Sequence, residues 1–185
     1  MAANRSGMER RQLELGLRTV SLVRFKAQNH PQQTIKPAVD DRGTAPDDYA
    51  RFDELYGPFT LDVAASPRNA KCDKFFTVDE DGLQQSWKGE RVWCNPPYSG
   101  IGKWVNKAWR EWHETRGVVM LLPANRCEQV WWQEQVEPYR DSPGTSPLKV
   151  VFLPGRMRFI MPGQESVGPN QRPPFGCCLL IWRAP

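Results

Sequence analysis

Histidine is almost missing: His30 and His113 are the only two in 185 residues. The five cysteines, Cys72, Cys94, Cys127, Cys177 and Cys178, form no Cys-X-X-Cys pair and do not cluster with either histidine, so a zinc site is not expected and no metal is assigned. Cys94, Cys177 and Cys178 stand in apolar runs and read as small buried hydrophobes, which suits a reducing cytoplasm better than a disulfide framework. No run of 18 apolar residues occurs, and the opening "MAANRSGMERR" has no apolar core of a secretory signal. A soluble cytoplasmic protein with no membrane partner is expected. Net charge is also missing from most of the chain: residues 1–43 carry eight basic and four acidic side chains, and the remainder is balanced at 17 of each. The whole +4 therefore sits on an N-terminal extension, 1–43, ahead of a body spanning 44–185. Such an arm suits an anion such as nucleic acid, or is simply a solvated terminus.

What is present is an apolar fraction of 39% with eight tryptophans and eight phenylalanines, enough for one folded body. "TAPDDYARFDELYGPF" predicts a helix with a capping box from Thr44 and Asp47, Pro46 in its first turn, and a stop at Gly57-Pro58. "FTLDVAAS" and "KFFTV" predict short strands, and "DEDGLQQSWKGE" a turn-rich connection. Ile101, Trp104, Val105, Ala108, Trp109 and Trp112 recur at helical spacing, which predicts an amphipathic helix with these tryptophans in the core. "GVVMLLPA" predicts a strand buried on both faces, and Asn125 with Glu128 predicts the cap of a further helix that ends before Pro138. "LKVVFLPGRMRFIMPG" predicts two short strands or a hairpin about Pro154-Gly155, and "GCCLLIW" a last buried strand. Strands alternating with helices give an α/β sheet, mostly parallel, with antiparallel strands in the tail.

"RVWCNPPYSG" raises the chemical question, because Pro96 and Pro97 remove two backbone donors and stop a strand that has just begun. In an open α/β sheet, ligands bind beyond the carboxyl ends of the strands, where Asn95 to Tyr98 would lie. There the Asn95 carboxamide oxygen and the Pro96 carbonyl can each accept from one N–H of an exocyclic amine, while Tyr98 offers a ring face for a base. As a bare motif the four residues also fit a stiff strand-to-helix turn. Arg126, Arg156 and Arg158 follow predicted strand ends and are candidates for phosphate contacts, or are ordinary surface arginines.

With "RGTAPDDYARFDELYGPFTLDVAAS", "NAKCDKFFT", "DEDGLQQSW", "RVWCNPPYS", "IGKWV", "VVMLLPA" and "FLPGRMRF" in this order, the sequence resembles the phage DNA N-6-adenine-methyltransferase family from about Arg42 to Trp182. The resemblance implies a compact Rossmann-like class I methyltransferase fold. It also implies S-adenosyl-L-methionine as cofactor, DNA as substrate, a flipped adenine and a role in phage or prophage DNA modification. By the same resemblance Asn95, Pro96, Pro97 and Tyr98 are catalytic. Thr44, Pro46, Asp62, Ala64, Ala65, Ser66, Asp81 and Asn95 face the cofactor, although Ala45 stands where the family has a proline. Asp62 also fits a helix cap and Asp81 a turn, and Asp79 and Glu80 are the candidates for the ribose acid. Methylation of protein glutamine or of RNA adenine through the same motif, and a non-catalytic nucleic-acid-binding relic, are the competing readings.

Overall fold

The computed structural model describes residues 42–140, 144, 146–168 and 172–185; the proposed extension lies outside the described residues except for Arg42 and Gly43. Five strands and the helices between them carry the chain from β1 (Gly43–Thr44) to β5 (Val118–Pro123): α1 (Pro46–Tyr56), β2 (Leu61–Asp62), β3 (Lys74–Phe75), β4 (Val92–Cys94) and α2 (Ile101–Glu111). They are followed by α3 (Val130–Gln135), β6 (Leu148–Phe152), β7 (Phe159–Ile160) and β8 (Cys177–Trp182). Six strands form one sheet in the order β3-β2-β4-β5-β8-β6, and β1 pairs with β7 in a separate two-stranded ribbon. β3, β2, β4 and β5 run parallel, whereas β8 lies antiparallel between β5 and β6. The expected mixed sheet with antiparallel tail strands is therefore present.

Alternation along β5 explains how the sheet is covered. Val118, Met120 and Leu122 enter one core with Trp104, Val105 and Ala108 of α2 and Trp132 of α3, while Val119 and Leu121 enter a second core with Phe52 of α1 and Trp93 of β4. All five residues from Val118 to Leu122 are fully buried, as a strand packed on both faces requires. The tryptophan-rich helix puts Trp104 in the core, with Trp109 and Trp112 packed against it. Lys107, on the edge of that apolar face, is buried by pairing with Glu111 at 2.9 Å and lying over the Trp87 ring.

Two local expectations need correction. Thr44 does not cap α1: it ends β1, and Ala45 takes the N-cap position with no side-chain bond. α3 starts after Gln129 rather than at Asn125–Glu128, because residues 126–129 close a separate turn through Gln129 N to Arg126 O. Of the two readings about Pro154-Gly155, two short strands are found rather than a hairpin: β6 joins β8 in the main sheet, and β7 turns away to pair with β1. Among the described residues no helix is long and apolar enough to cross a membrane.

Candidate active site

Parallel strands bring the ends of β2, β4 and β5 to one edge of the sheet, and antiparallel β8 brings the residues just before Cys177 to the same edge. The backbone of Ala124 is bonded there to Gly176. Four of the residues singled out by sequence meet at this edge: Asn95, Pro96, Tyr98 and Arg126 line a cavity of about 70 Å³ together with Arg42, Phe159 and Phe175. Pro97, half-buried, lies outside that lining and precedes the 3-10 turn Tyr98–Gly100 that leads into α2.

The Asn95 amide is oriented by the chain that precedes β1. Its Nδ2 donates to the Arg42 carbonyl at 3.0 Å, which identifies the remaining Oδ1 as the acceptor end. The Tyr98 hydroxyl lies 3.5 Å from that oxygen as a weak donor. Burial holds the Tyr98 phenol far above its usual pKa, so it stays a neutral donor. Tyr98 also meets Phe175 edge to face at 6.1 Å between ring centroids.

The residues expected to face a cofactor gather around the end of β2. Asp62 is buried and accepts from Ala64 N at 3.3 Å and Lys71 N at 3.1 Å, so its carboxylate ties down the loop that begins with Ala64, Ala65 and Ser66. Burial lifts Asp62 to about 6, against the pull of those two N–H groups and of the Lys71 charge. Val63 N bonds to Trp93 O, which runs this segment directly beside the strand that delivers Asn95. Asp81 sits on an exposed turn at positive φ, with Oδ1 accepting from Leu83 N, and Glu80 accepts from Thr77 N and its hydroxyl. The next residue, Gly82, lies so close to the Val63 carbonyl that a Cβ there would sit 2.1 Å from it. On the other side Gly43 packs against Asn69, placing β1 beside the Ser66–Asn69 loop. Thr44, 1% exposed, keeps a buried hydroxyl without a partner among the described residues. Pro46 opens α1 on the rim of a separate cleft of about 490 Å³, where Arg158 faces Asp47, Asp48 and Glu165. Arg156 and Arg158 are exposed, and neither borders the Asn95 cavity.

Sequence reasoning missed three residues of this cavity. Arg42 had been counted into the arm, and its part comes from pairing of β1 with β7. Phe159 and Phe175 belong to segments with no periodic signal of their own. Among the described residues, no group of three or more His, Cys, Asp or Glu side chains could hold a metal ion.

Comparison with known proteins gives this geometry a lineage. The chain is 35% identical over 117 residues to the DNA N-6-adenine-methyltransferase of Escherichia phage T1, covering 62% of this chain and 47% of that protein. It is 37% identical over 65 residues to the DNA N-6-adenine-methyltransferase of Haemophilus phage HP1, covering 35% and 38% respectively. The chain thus spans about half the length of the phage T1 relative. The family model for DNA N-6-adenine-methyltransferase (Dam) matches residues 32–184, which takes in every strand described above and the whole Asn95 cavity, and the chain belongs to that family.

Proposed function

We propose that this chain is a site-specific DNA methyltransferase that modifies the N6 amine of adenine with S-adenosylmethionine as donor, on a compact Rossmann-like class I methyltransferase fold. The observation that carries this reading is the bond from Asn95 Nδ2 to the Arg42 carbonyl, which leaves the carboxamide oxygen, met only by the weak Tyr98 hydroxyl contact at 3.5 Å, to accept from a ligand. The exocyclic amine of adenine is a poor nucleophile because its lone pair is drawn into the ring. Acceptors on both of its N–H groups, Asn95 Oδ1 and the Pro96 carbonyl, pull the nitrogen toward tetrahedral geometry and aim the lone pair. Tyr98 supports the ring by its face. The amine sheds its extra proton readily after the transfer, so no histidine or other tuned base is called for. The cavity of about 70 Å³ is far smaller than the roughly 300–1,000 Å³ of an ordinary ligand pocket. It takes the amino edge of a base and requires that base to leave the duplex.

Thr44, Pro46, Asp62, Ala64, Ala65, Ser66 and Asp81 would hold the cofactor, with Asn95 between it and the base. When bound, S-adenosylmethionine supplies an activated methyl group on a sulfonium. The unpartnered Thr44 hydroxyl and the short side chains after Asp62 fit such a ligand. Arg126, Arg156, Arg158 and the basic residues of 1–43 are the proposed DNA contacts, in the cytoplasm of a host or bacterial cell. Labelled donor offered to DNA, RNA and protein in parallel tests the reading: label in DNA adenine is expected, and label confined to RNA or protein overturns it.

A further inference from the structure

Arg42 and Arg126 both border the Asn95 cavity, and the reading so far gives them no more than a general part as DNA contacts. Among the described residues the Nε atoms of Arg42 and Arg126 have no hydrogen-bond partner although both are buried, and both residues line the cavity that holds Asn95 and Tyr98. Among the described residues no acidic side chain lines it. The Arg42 charge lies near enough to Tyr98 to oppose the rise that burial causes in its pKa. Two cations on one small cavity whose lining holds no carboxylate call for an anion. The adenine ring is neutral and a sulfonium is positive, so neither satisfies them. A phosphodiester does, through the planar fork that arginine presents to phosphate oxygens.

We infer that Arg42 and Arg126 together clamp the backbone phosphate next to the target adenosine, holding the extruded nucleotide against Asn95. This rests on the function proposed above. The clamp joins a residue just before β1 to one just after β5, so the ribbon that orients the Asn95 amide also delivers half of the phosphate site. It is indifferent to base sequence and positions the substrate rather than selecting it.

The test uses the full chain and duplexes in which a neutral methylphosphonate replaces the phosphate on the 5′ or the 3′ side of the target adenine. For the wild-type protein, one of these replacements is expected to lower kcat/KM by about ten- to a hundredfold, the usual scale for hydrogen bonds to charged groups. An Arg42→Gln, Arg126→Gln double variant is expected to start from the lowered value and to lose nothing further on that replacement, with cofactor affinity unchanged. Equal sensitivity in both proteins, or wild type indifferent to either replacement, overturns the clamp. Loss of cofactor affinity in the variant would assign the arginines to the carboxylate of the donor and overturns it as well. A wild-type protein that binds the donor but leaves the unmodified duplex without label refutes the function itself, and the clamp with it.

Discussion

Asn95 and Arg42 stand far apart in sequence, yet the side-chain amide of one donates to the backbone carbonyl of the other at 3.0 Å. The bond distinguishes the two ends of the carboxamide: only the nitrogen can serve a carbonyl, so the oxygen is left as the acceptor. It also makes the Asn95–Tyr98 loop dependent on the β1–β7 ribbon that follows Arg42.

Asn95→Ala is expected to abolish adenine methylation while cofactor affinity stays within a few fold, because in the proposed reaction the amide acts on the target amine and adds little to the ground-state binding of the donor it adjoins. Asn95→Asp separates the two ends further. Its carboxylate keeps an acceptor for the amine but sets a second oxygen against the Arg42 carbonyl, where the native amide has a donor. Activity of this variant should be low at neutral pH and rise as pH falls, since a protonated carboxyl can donate again. A pH–rate profile parallel to that of wild type would dismiss the orienting role of Arg42.

Asp62 gives a prediction in pH. Its folded-state value of about 6 lies above the ordinary 3.8, so the folded protein holds this proton more tightly than the unfolded chain between those limits. For a carboxyl shifted upward, the contribution to stability is greatest below the unfolded value and falls as pH rises through the folded one. At neutral pH the buried charge costs roughly 3 kcal/mol. Denaturant unfolding of the wild type should gain about 1.4 kcal/mol from this residue between pH 7.5 and 5. Asp62→Asn should lack that increment. The same slope in both proteins would place the raised carboxyl elsewhere.

The sequence made this sheet legible where residues repeat a pattern over a long enough stretch. Val118 to Leu122 and the Ile101–Trp112 face declare themselves because each must fill a core on a fixed period. The Asn95–Tyr98 turn was legible for another reason, since two prolines after a strand admit few conformations. The ribbon was not. β1 and β7 have two residues each, too few for any period, and their pairing is decided by tertiary packing rather than by local preference. For the same reason Thr44 read as a helix cap, although its side chain is buried beside a strand end. Arg42, Phe159 and Phe175 are brought to the cavity by that pairing and by β8, and nothing local to them could have announced it.

Gly82 is the point where the turn bearing Asp81 leans on the end of β2. A methyl group there would meet the Val63 carbonyl at 2.1 Å and the Trp104 ring at 3.3 Å, and neither can retreat without moving strand or core. Gly82→Ala should cost about 1–3 kcal/mol in denaturant unfolding, the usual scale of overpacking. Gly100, where an added Cβ meets nothing within 4 Å, is the control. Gly100→Ala should change stability by no more than about 0.5 kcal/mol. Equal effects at the two positions would mean that the 81–82 turn is free to move off Val63.

The last prediction concerns the part of the basic arm that precedes the family match, all of it outside the described residues. Residues 1–31, which precede the family match, hold six basic and two acidic side chains and so carry the entire net charge of +4. Removing them leaves Arg42, the ribbon and every residue around Asn95 in the chain. The shortened protein is therefore expected to bind cofactor as the full chain does and to methylate DNA at saturating concentration. Its DNA affinity should fall, and the fall should depend on salt, since each phosphate neutralised on duplex DNA contributes about 0.9 to the slope of log K against log salt. Three or four arm contacts would flatten that slope by roughly three on truncation. An unchanged slope would remove the arm from the DNA surface and leave phosphate binding to the body. Loss of cofactor binding would show instead that residues before 32 support the catalytic fold.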